Sequence, residues 1–136
     1  MLYKLYLCFL LIAINTSCAN KAKINKDAEV MSYILAAECL KCEDSEIIKI
    51  ATVIKNRLLS DHYPKTIHSI VSETNQFHGY CKEWYVFDRR CYELACFVLS
   101  REVPLNGIIF FWQKGSKKPR YVKKIIYTEK FHNFGK

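Results

Sequence analysis

The sequence predicts an α+β fold that is mainly helical, with a small β element near the C-terminus. Two observations indicate this. Apolar residues recur at helical spacing through most of the chain, and one short apolar run, Ile108 to Trp112, has the character of a buried strand. With 136 residues, the chain is long enough for a single domain with its own core.

Residues 1–18 have the features of an export signal. Lys4 precedes an apolar stretch of about ten residues, which is short for a membrane span, and small residues follow it. Asn15-Thr16-Ser17-Cys18 is similar to a bacterial lipobox, which predicts that Cys18 is lipidated. Ordinary cleavage after Ala19 and an uncleaved membrane anchor are the alternatives. We therefore expect an exported protein, either secreted or held in the cell envelope as a periplasmic or outer-membrane lipoprotein.

The remaining chain divides into a short tether and one domain. Residues 19–26 are polar and basic and predict the tether, so the domain is expected to cover residues 27–136. Asp27 is a suitable N-cap for a first helix, in which apolar residues recur at helical spacing up to about Glu38.

Three more helices follow from the same kind of signal. Asp44 or Ser45 is expected to cap the second, which runs to about Leu59, because isoleucines recur there at helical spacing. Thr66 is expected to cap a short third helix. Asp88 is expected to cap a fourth that runs to about Arg101.

Two strands are expected after the helices. The first is the apolar run that ends at Trp112, and the second lies between Tyr121 and Thr128. We expect the two to pair across the basic loop between them. The segment Phe131-His132-Asn133-Phe134 closes the chain.

The net charge limits the class of partner. The formal charge is +8, and Lys114 to Lys130 carries much of it. A basic domain attracts polyanions, and export makes nucleic acid the least expected of them. We expect anionic lipid head groups or cell-wall polymers as partners, and no nucleic acid. The alternative is a basic loop that is simply solvated.

Five cysteines remain after Cys18, and an odd number cannot all pair within one chain. Cys39 and Cys42 form a CxxC motif, but no His/Cys pair at zinc spacing follows it. The sequence therefore predicts neither a metal site nor a cofactor. Cys81 and Cys91 flank a short loop and are suitably placed for a disulfide.

Glu38 is the candidate catalytic residue. It ends the apolar helical run that begins at Val30. A carboxyl group that apolar neighbours shield from water holds its proton more tightly, which suits a general acid for glycosidic bond cleavage. The alternative is an ordinary solvated glutamate in the last turn of a helix. Glu43 and Glu46 lie close in sequence, but the start of a helix is a common place for solvated acids.

The loop from Thr74 to Val86 is rich in aromatic residues, among them Phe77, Tyr80 and Trp84. Aromatic rings stack on the apolar faces of sugars. The same rings also suit packing over the edge of a core, and the sequence does not separate these interpretations.

Three blocks of sequence resemble those of the SleB-type cell wall hydrolases, the spore cortex-lytic enzymes. Their order and spacing match the family over roughly residues 29–135. The blocks are Ala37-Glu38 with Ala51-Thr52-Val53-Ile54-Lys55-Asn56-Arg57, Tyr63-Pro64-Lys65-Thr66-Ile67 with Asn75-Gln76-Phe77, and Phe110-Phe111-Trp112 with Phe131-His132-Asn133-Phe134.

This resemblance implies a lysozyme-like domain that cuts the glycan strand of peptidoglycan between N-acetylmuramic acid and N-acetylglucosamine. Glu38 matches the family's catalytic glutamate. A lytic transglycosylase needs only that one carboxylate, and no convincing partner for Glu38 is visible in the sequence. The loop motif implies substrate binding by Gln76 and Phe77. The remaining candidates for substrate binding are Tyr80, Trp84 and His132.

The chain departs from the family's pattern. Where the family usually has Glu-Ala-x-Gly-Glu, this chain has Glu38-Cys39-Leu40-Lys41-Cys42. The family's second glutamate is replaced by Cys42, and its strand histidine by Trp112. These changes favour an alternative function, a non-catalytic glycan-binding envelope lipoprotein that retains the fold. A basic inhibitor or adhesin that uses Lys114 to Lys130 is a third hypothesis.

Overall fold

Four helices precede three short strands in the part of the chain that the structure describes. The computed structural model describes residues 2–73, 76–77, 86–101 and 107–136, with side chains in the first helix described from Asn20 onward. The helices and strands are α1 Leu2–Cys39, α2 Asp44–Leu59, α3 Ile67–Val71, α4 Arg89–Leu99, β1 Phe110–Gln113, β2 Ile125–Thr128 and β3 His132–Gly135. The α+β architecture, with its small sheet at the C-terminal end, is the predicted one.

The first helix is longer than predicted. It runs without a break through Asp27, so this residue is not an N-cap, and residues 19–26, the predicted tether, are helical. Lysines and alanine dominate this segment and favour a helix, while no glycine or proline interrupts it. Within the described residues, no helix is both long and apolar enough to cross a membrane.

Local capping explains the starts of the two short helices. Thr66 accepts a hydrogen bond from the Ser69 amide at the start of α3, and Asp88 accepts one from the Cys91 amide at the start of α4, as predicted. The second helix ends at Leu59 as predicted, but its predicted N-cap was wrong. The helix includes Asp44 and Ser45, and its N-cap is Glu43, whose side chain makes no capping hydrogen bond.

The hydrophobic core lies between the helices and extends under the sheet. The second half of α1 packs against α2, α3 and α4. Fully buried residues line the inner faces of these elements, among them Met31, Ile34, Ile50, Ile54, Ile70, Ala95 and Phe134. The buried face of α1 therefore fixes where the end of that helix lies in the fold.

The strand order is β1-β3-β2, with both pairs antiparallel. The predicted pairing of the first two strands is therefore wrong, because the closing segment forms a third strand between them. Gly135, the last residue of β3, lies close to the backbone of Lys124 and the side chain of Val122. A Cβ atom there would lie 2.5 Å from the Lys124 carbonyl oxygen, so only glycine fits without a shift of the backbone.

The cysteines are arranged differently from the expectation. Cys39 and Cys42 form a disulfide that closes the turn after α1. Cys91 carries a free buried thiol, rather than the disulfide to Cys81 that the sequence left open. Burial raises the pKa of the Cys91 thiol to about 12. Cys81 itself lies outside the described residues.

Candidate functional site

A cleft of about 270 Å³ lies between the end of α1, the end of α2 and the sheet. Its walls combine one carboxylate, one guanidinium, polar side chains and several aromatic rings. The lining residues are Glu38, Arg57, Gln76, Phe110, Phe111, Trp112, Gln113, Ser116, Pro119, Tyr121 and His132. Three of the sequence-predicted site residues, Glu38, Gln76 and His132, therefore meet at one place.

Glu38 lies in the last turn of α1 and is half-buried. The helix ends at the next residue, Cys39, whose carbonyl accepts a hydrogen bond from the Cys42 amide at 3.0 Å. This turn and the Cys39–Cys42 disulfide stop the helix immediately after the glutamate. The fold therefore holds the Glu38 carboxyl in the cleft wall by the packing of α1 on one side and a closed turn on the other.

Glu43 and Glu46, the other acids of this region, do not line the cleft. Glu43 is exposed, and Glu46 is fully buried in the first turn of α2. Among the described residues, Glu38 is the only carboxylate in the cleft wall.

The end of α2 joins the helices to the sheet. The Asn56 amide donates from Nδ2 to the Ile108 carbonyl at 2.9 Å, and Arg57 donates from Nε to the Ile109 carbonyl at 2.9 Å. Both side chains are almost fully buried. Each side chain therefore donates a hydrogen bond to a backbone carbonyl just before β1. Buried carbonyls need such a donor, which is the physical reason for an Asn-Arg pair at the end of this helix.

Arg57 also reaches the cleft. Its Nη1 donates to Gln76 Oε1 at 3.0 Å, and its guanidinium carbon lies 5.1 Å from the centre of the Tyr63 ring and 5.5 Å from that of Phe77. Burial lowers the pKa of the Arg57 guanidinium, and the Tyr63 hydroxyl and Glu73 oppose this shift. An arginine remains protonated even so, and it contributes positive charge to the cleft.

Phe77 lies beneath the cleft rather than in its wall. The ring is buried and packs against Phe111, with 5.7 Å between the ring centres. It therefore supports the side chains that face the cleft. Tyr80 and Trp84, the other aromatic candidates, lie outside the described residues.

The aromatic wall comes from β1 and from the loop before β2. The centres of the Phe110 and Tyr121 rings lie 4.8 Å apart, and Tyr121 is 63% exposed. The sequence predicted a buried strand here, which was matched to the family's strand, but neither the β1 aromatics nor Tyr121 were selected as substrate-binding residues. Because side chains alternate between the two faces of a strand, part of such an aromatic run must face away from the core. That alternation is the signal that could have found the cleft residues of β1, whereas Tyr121 lies in a loop, to which it does not apply.

His132 lies in the floor of the cleft and is buried. Its Nδ1 lies 2.8 Å from Glu46 Oε1, and its ring is 5.5 Å from that of Phe111. Cys39 Sγ is 3.7 Å from the same Nδ1. A group of four possible metal ligands, Cys39, Cys42, Glu46 and His132, therefore lies directly beneath the cleft.

Basic residues surround one rim of the cleft. Ser116, Pro119 and Tyr121 line it, and they belong to the segment between β1 and β2 that carries Lys114, Lys117, Lys118, Arg120, Lys123 and Lys124. These six cationic residues are exposed. We refer to these six residues as the basic rim. Cys18, the predicted lipidation site, lies in the part of α1 whose side chains are not described.

The comparisons with known proteins agree with one another. A family model described as Cell Wall Hydrolase matches residues 43–134, a range that begins after Glu38. The catalytic domain of the Bacillus cereus SleB protein is similar in structure, with a TM-score of 0.72, 16% identity, and coverage of 81% of this chain and 89% of that chain.

A second similar structure is the catalytic domain of the germination-specific lytic transglycosylase SleB from Bacillus anthracis. Its TM-score is 0.71 at 16% identity, with coverage of 81% of this chain and 93% of that chain. At this identity the two structures support the fold alone. No curated protein matches the chain.

Proposed function

Because the chain belongs to the cell wall hydrolase family, we propose that it cuts the glycan strand of peptidoglycan by lytic transglycosylation, with Glu38 as its single catalytic carboxylate. The bond is the one between N-acetylmuramic acid and N-acetylglucosamine. The observation that carries the proposal is the position of Glu38, half-buried in the wall of an aromatic cleft that also contains Gln76 and Arg57.

The reaction assigns two successive roles to Glu38. The protonated carboxyl first donates its proton to the glycosidic oxygen as the bond breaks and positive charge develops on the sugar carbon. The resulting carboxylate then removes a proton from the C6 hydroxyl of the muramic acid, whose oxygen closes the anhydro ring. This route needs no second catalytic carboxylate. The cleft supports it because no other described acid lines the wall.

The other cleft residues suit a glycan strand. The exposed Tyr121 ring offers a flat apolar surface to a sugar face, and the Gln76 amide can bind hydroxyl and acetamide groups. His132 lies in the floor and is proposed to contribute to the same subsite. Tyr80 and Trp84 remain proposed stacking residues. The basic rim would attract the carboxylates of the wall peptides.

A second candidate function is glycan binding without cleavage. The observation that favours it is the pair of changed positions next to Glu38 and in the cleft wall. Cys42 stands where the related family has a second glutamate, and it forms a disulfide with Cys39. Trp112 stands where that family has a histidine, and it lines the cleft.

Export belongs to the same proposal. We propose that residues 1–18 direct the chain out of the cytoplasm, and that Cys18 or the uncleaved segment attaches it to the membrane. Palmitate labelling of the wild-type chain and of Cys18→Ser tests the lipid anchor. Loss of label in the variant is expected, and equal labelling contradicts lipidation at this residue.

Digestion of purified sacculi tests the catalytic function. We expect the wild-type chain to release anhydromuropeptides, which mass spectrometry separates from fragments with reducing ends. Glu38→Gln removes the proton donor while keeping the shape, so we expect no release and a melting temperature within about 3 °C of wild type. Glu43→Gln is the matched control, because Glu43 is exposed and outside the cleft, and it should cleave normally.

The possible outcomes are distinct. Reducing ends in place of anhydro sugars would indicate hydrolysis by the same residue. Sedimentation of the wild-type chain with sacculi but without release would support the glycan-binding alternative. Cleavage by Glu38→Gln at the wild-type rate would contradict the assignment of Glu38.

A further inference from the structure

Four buried side chains with metal-binding chemistry converge beneath the cleft. They are Cys39 at the end of α1, Cys42 in the following turn, Glu46 in α2 and His132 in β3. One ligand atom from each lies within 4.8 Å of all the others. Two of the four come from a single CxxC turn, which is a common source of a pair of zinc ligands.

Glu46 gives an independent reason to expect a ligand here. The side chain is fully buried, and its Oε1 accepts a hydrogen bond from the Phe131 amide at 3.0 Å and lies 2.8 Å from His132 Nδ1. Its Oε2 is buried without any hydrogen-bond partner within the described residues. A buried carboxylate oxygen that lacks a partner is costly, so a bound cation would relieve this cost.

The two lysines of α2 do not supply that cation. Lys49 Nζ pairs with Glu129 Oε1 at 2.7 Å. Lys55 Nζ donates to the Val98 carbonyl at 2.9 Å and to two more carbonyls at the end of α4. Within the described residues, His132 is the only ion-pair partner of Glu46.

The donor set suits zinc. Two thiolates, one imidazole and one carboxylate are all ligands that Zn²⁺ accepts in tetrahedral sites, with metal–ligand distances of about 2.0–2.3 Å. Such distances place neighbouring donor atoms about 3.3–3.8 Å apart. Cys39 Sγ already lies 3.7 Å from His132 Nδ1. Small side-chain movements would therefore complete a tetrahedron.

We propose that, when the Cys39–Cys42 disulfide is reduced, Cys39, Cys42, Glu46 and His132 bind one Zn²⁺ ion. A dithiol supplies the two electrons and two protons that convert the disulfide into two thiols, and is itself oxidised to a disulfide. Zinc then displaces both thiol protons, and neutral His132 binds through Nδ1 with its proton on Nε2. The disulfide and the metal use the same two sulfur atoms and exclude each other.

The zinc ion and the disulfide would connect different parts of the fold. The disulfide closes only the turn between Cys39 and Cys42. The zinc ion would link the end of α1 to α2 and to β3, and these elements carry Glu38 and His132 of the cleft. The reduced protein would therefore depend on zinc to hold the floor of the cleft together.

Metal analysis of the full chain tests the proposal independently of any activity. The chain is reduced anaerobically with a phosphine, which does not compete strongly for metal, incubated with Zn²⁺ and desalted. We expect about one retained zinc ion per chain, and none in the oxidised chain. Co²⁺ in place of Zn²⁺ should give tetrahedral d–d bands and thiolate-to-cobalt charge transfer.

Variants assign the site. Cys39→Ser/Cys42→Ser should lose the zinc, and Glu46→Gln should bind it at least about tenfold more weakly. Cys96→Ser removes a free cysteine elsewhere and should bind zinc as wild type does. Equal zinc in the double variant and the wild type would overturn the proposal. If the variants fail to fold, the wild-type cobalt spectrum still decides, because absence of thiolate charge transfer overturns the site.

Discussion

Arg57 donates a hydrogen bond from Nη1 to Gln76 Oε1 at 3.0 Å, across one wall of the cleft. The same guanidinium donates from Nε to the Ile109 carbonyl at 2.9 Å. One side chain thus connects the end of α2, the start of the sheet and a proposed substrate-binding residue. A change at Arg57 should therefore affect both the stability of the fold and the function of the cleft.

The first prediction concerns this connection. Arg57→Lys keeps the charge but cannot present two fixed N–H groups to Ile109 and Gln76 together, so we expect a loss of about 1–3 kcal/mol in the free energy of unfolding. Gln76→Leu removes only the hydrogen bond between Arg57 and Gln76 and leaves the bond from Arg57 to Ile109. Urea unfolding of both single variants and the double variant should show a coupling energy of at least about 0.5 kcal/mol. Strict additivity would contradict a direct interaction.

The second prediction concerns Tyr121 in the aromatic wall. Its ring is exposed and lies 4.8 Å from that of Phe110. Tyr121→Ala removes a stacking surface worth about 1 kcal/mol, so we expect kcat/KM on sacculi to fall about fivefold with little change in melting temperature. Phe97→Ala is the control, because Phe97 is an exposed aromatic of α4 outside the cleft. Equal losses in the two variants would contradict a specific role for Tyr121.

Local signals made part of the fold predictable. Thr66 and Asp88 begin their helices because each side chain bonds an amide three residues later, and such caps are visible in the sequence. The start of α1 could not be predicted from Asp27. The residues before Asp27 also favour a helix, so the helix continues through this residue and Asp27 does not cap it. The strand order depends on pairing between distant segments, which no local pattern records.

In the candidate site too, local motifs were predictable and contacts between distant segments were not. Glu38 and Gln76 could be selected from sequence motifs, and the structure places both in one cleft. The contact between Glu46 and His132 could not be predicted, because the two residues are 86 positions apart and only the tertiary fold brings them together. For the same reason, the CxxC turn showed no metal partners in its own part of the sequence.

The third prediction concerns Lys55, a buried lysine of α2. Its Nζ donates to the carbonyls of Val98, Leu99 and Arg101, at and just beyond the C-terminal end of α4, and the Val98 carbonyl also accepts a hydrogen bond from the Arg101 amide at 3.3 Å. Burial, followed by the nearby Arg101 charge, lowers the pKa of Lys55. Lys55→Met removes the charged donor that these three carbonyls share, so we expect the free energy of unfolding, measured in urea, to fall by about 1–3 kcal/mol.

Lys65→Met is the matched control for Lys55→Met. Lys65 forms an exposed ion pair with Asp61, and exposed pairs of this kind contribute little. We expect a change within about 0.5 kcal/mol. If Lys55→Met also changes the free energy of unfolding by less than about 0.5 kcal/mol, the carbonyls that Lys55 contacts are hydrogen-bonded to water in the variant.

The fourth prediction concerns Asp88 and pH. The Cys91 amide donates to the Asp88 carboxylate at 2.7 Å, and this bond holds the pKa of Asp88 below its usual value. Because the folded pKa is depressed, the stabilisation is complete above the unfolded value of about 3.9 and is lost as the pH falls through the folded value. Asp88→Ala should cost about 1 kcal/mol at pH 7, and the difference from wild type should shrink in acid. Asp88→Asn is the control, because its amide caps the helix at every pH. We expect this variant to stay more stable than Asp88→Ala in acid. If it loses that extra stability in acid as the wild type does, titration of Asp88 is not the cause of the pH dependence.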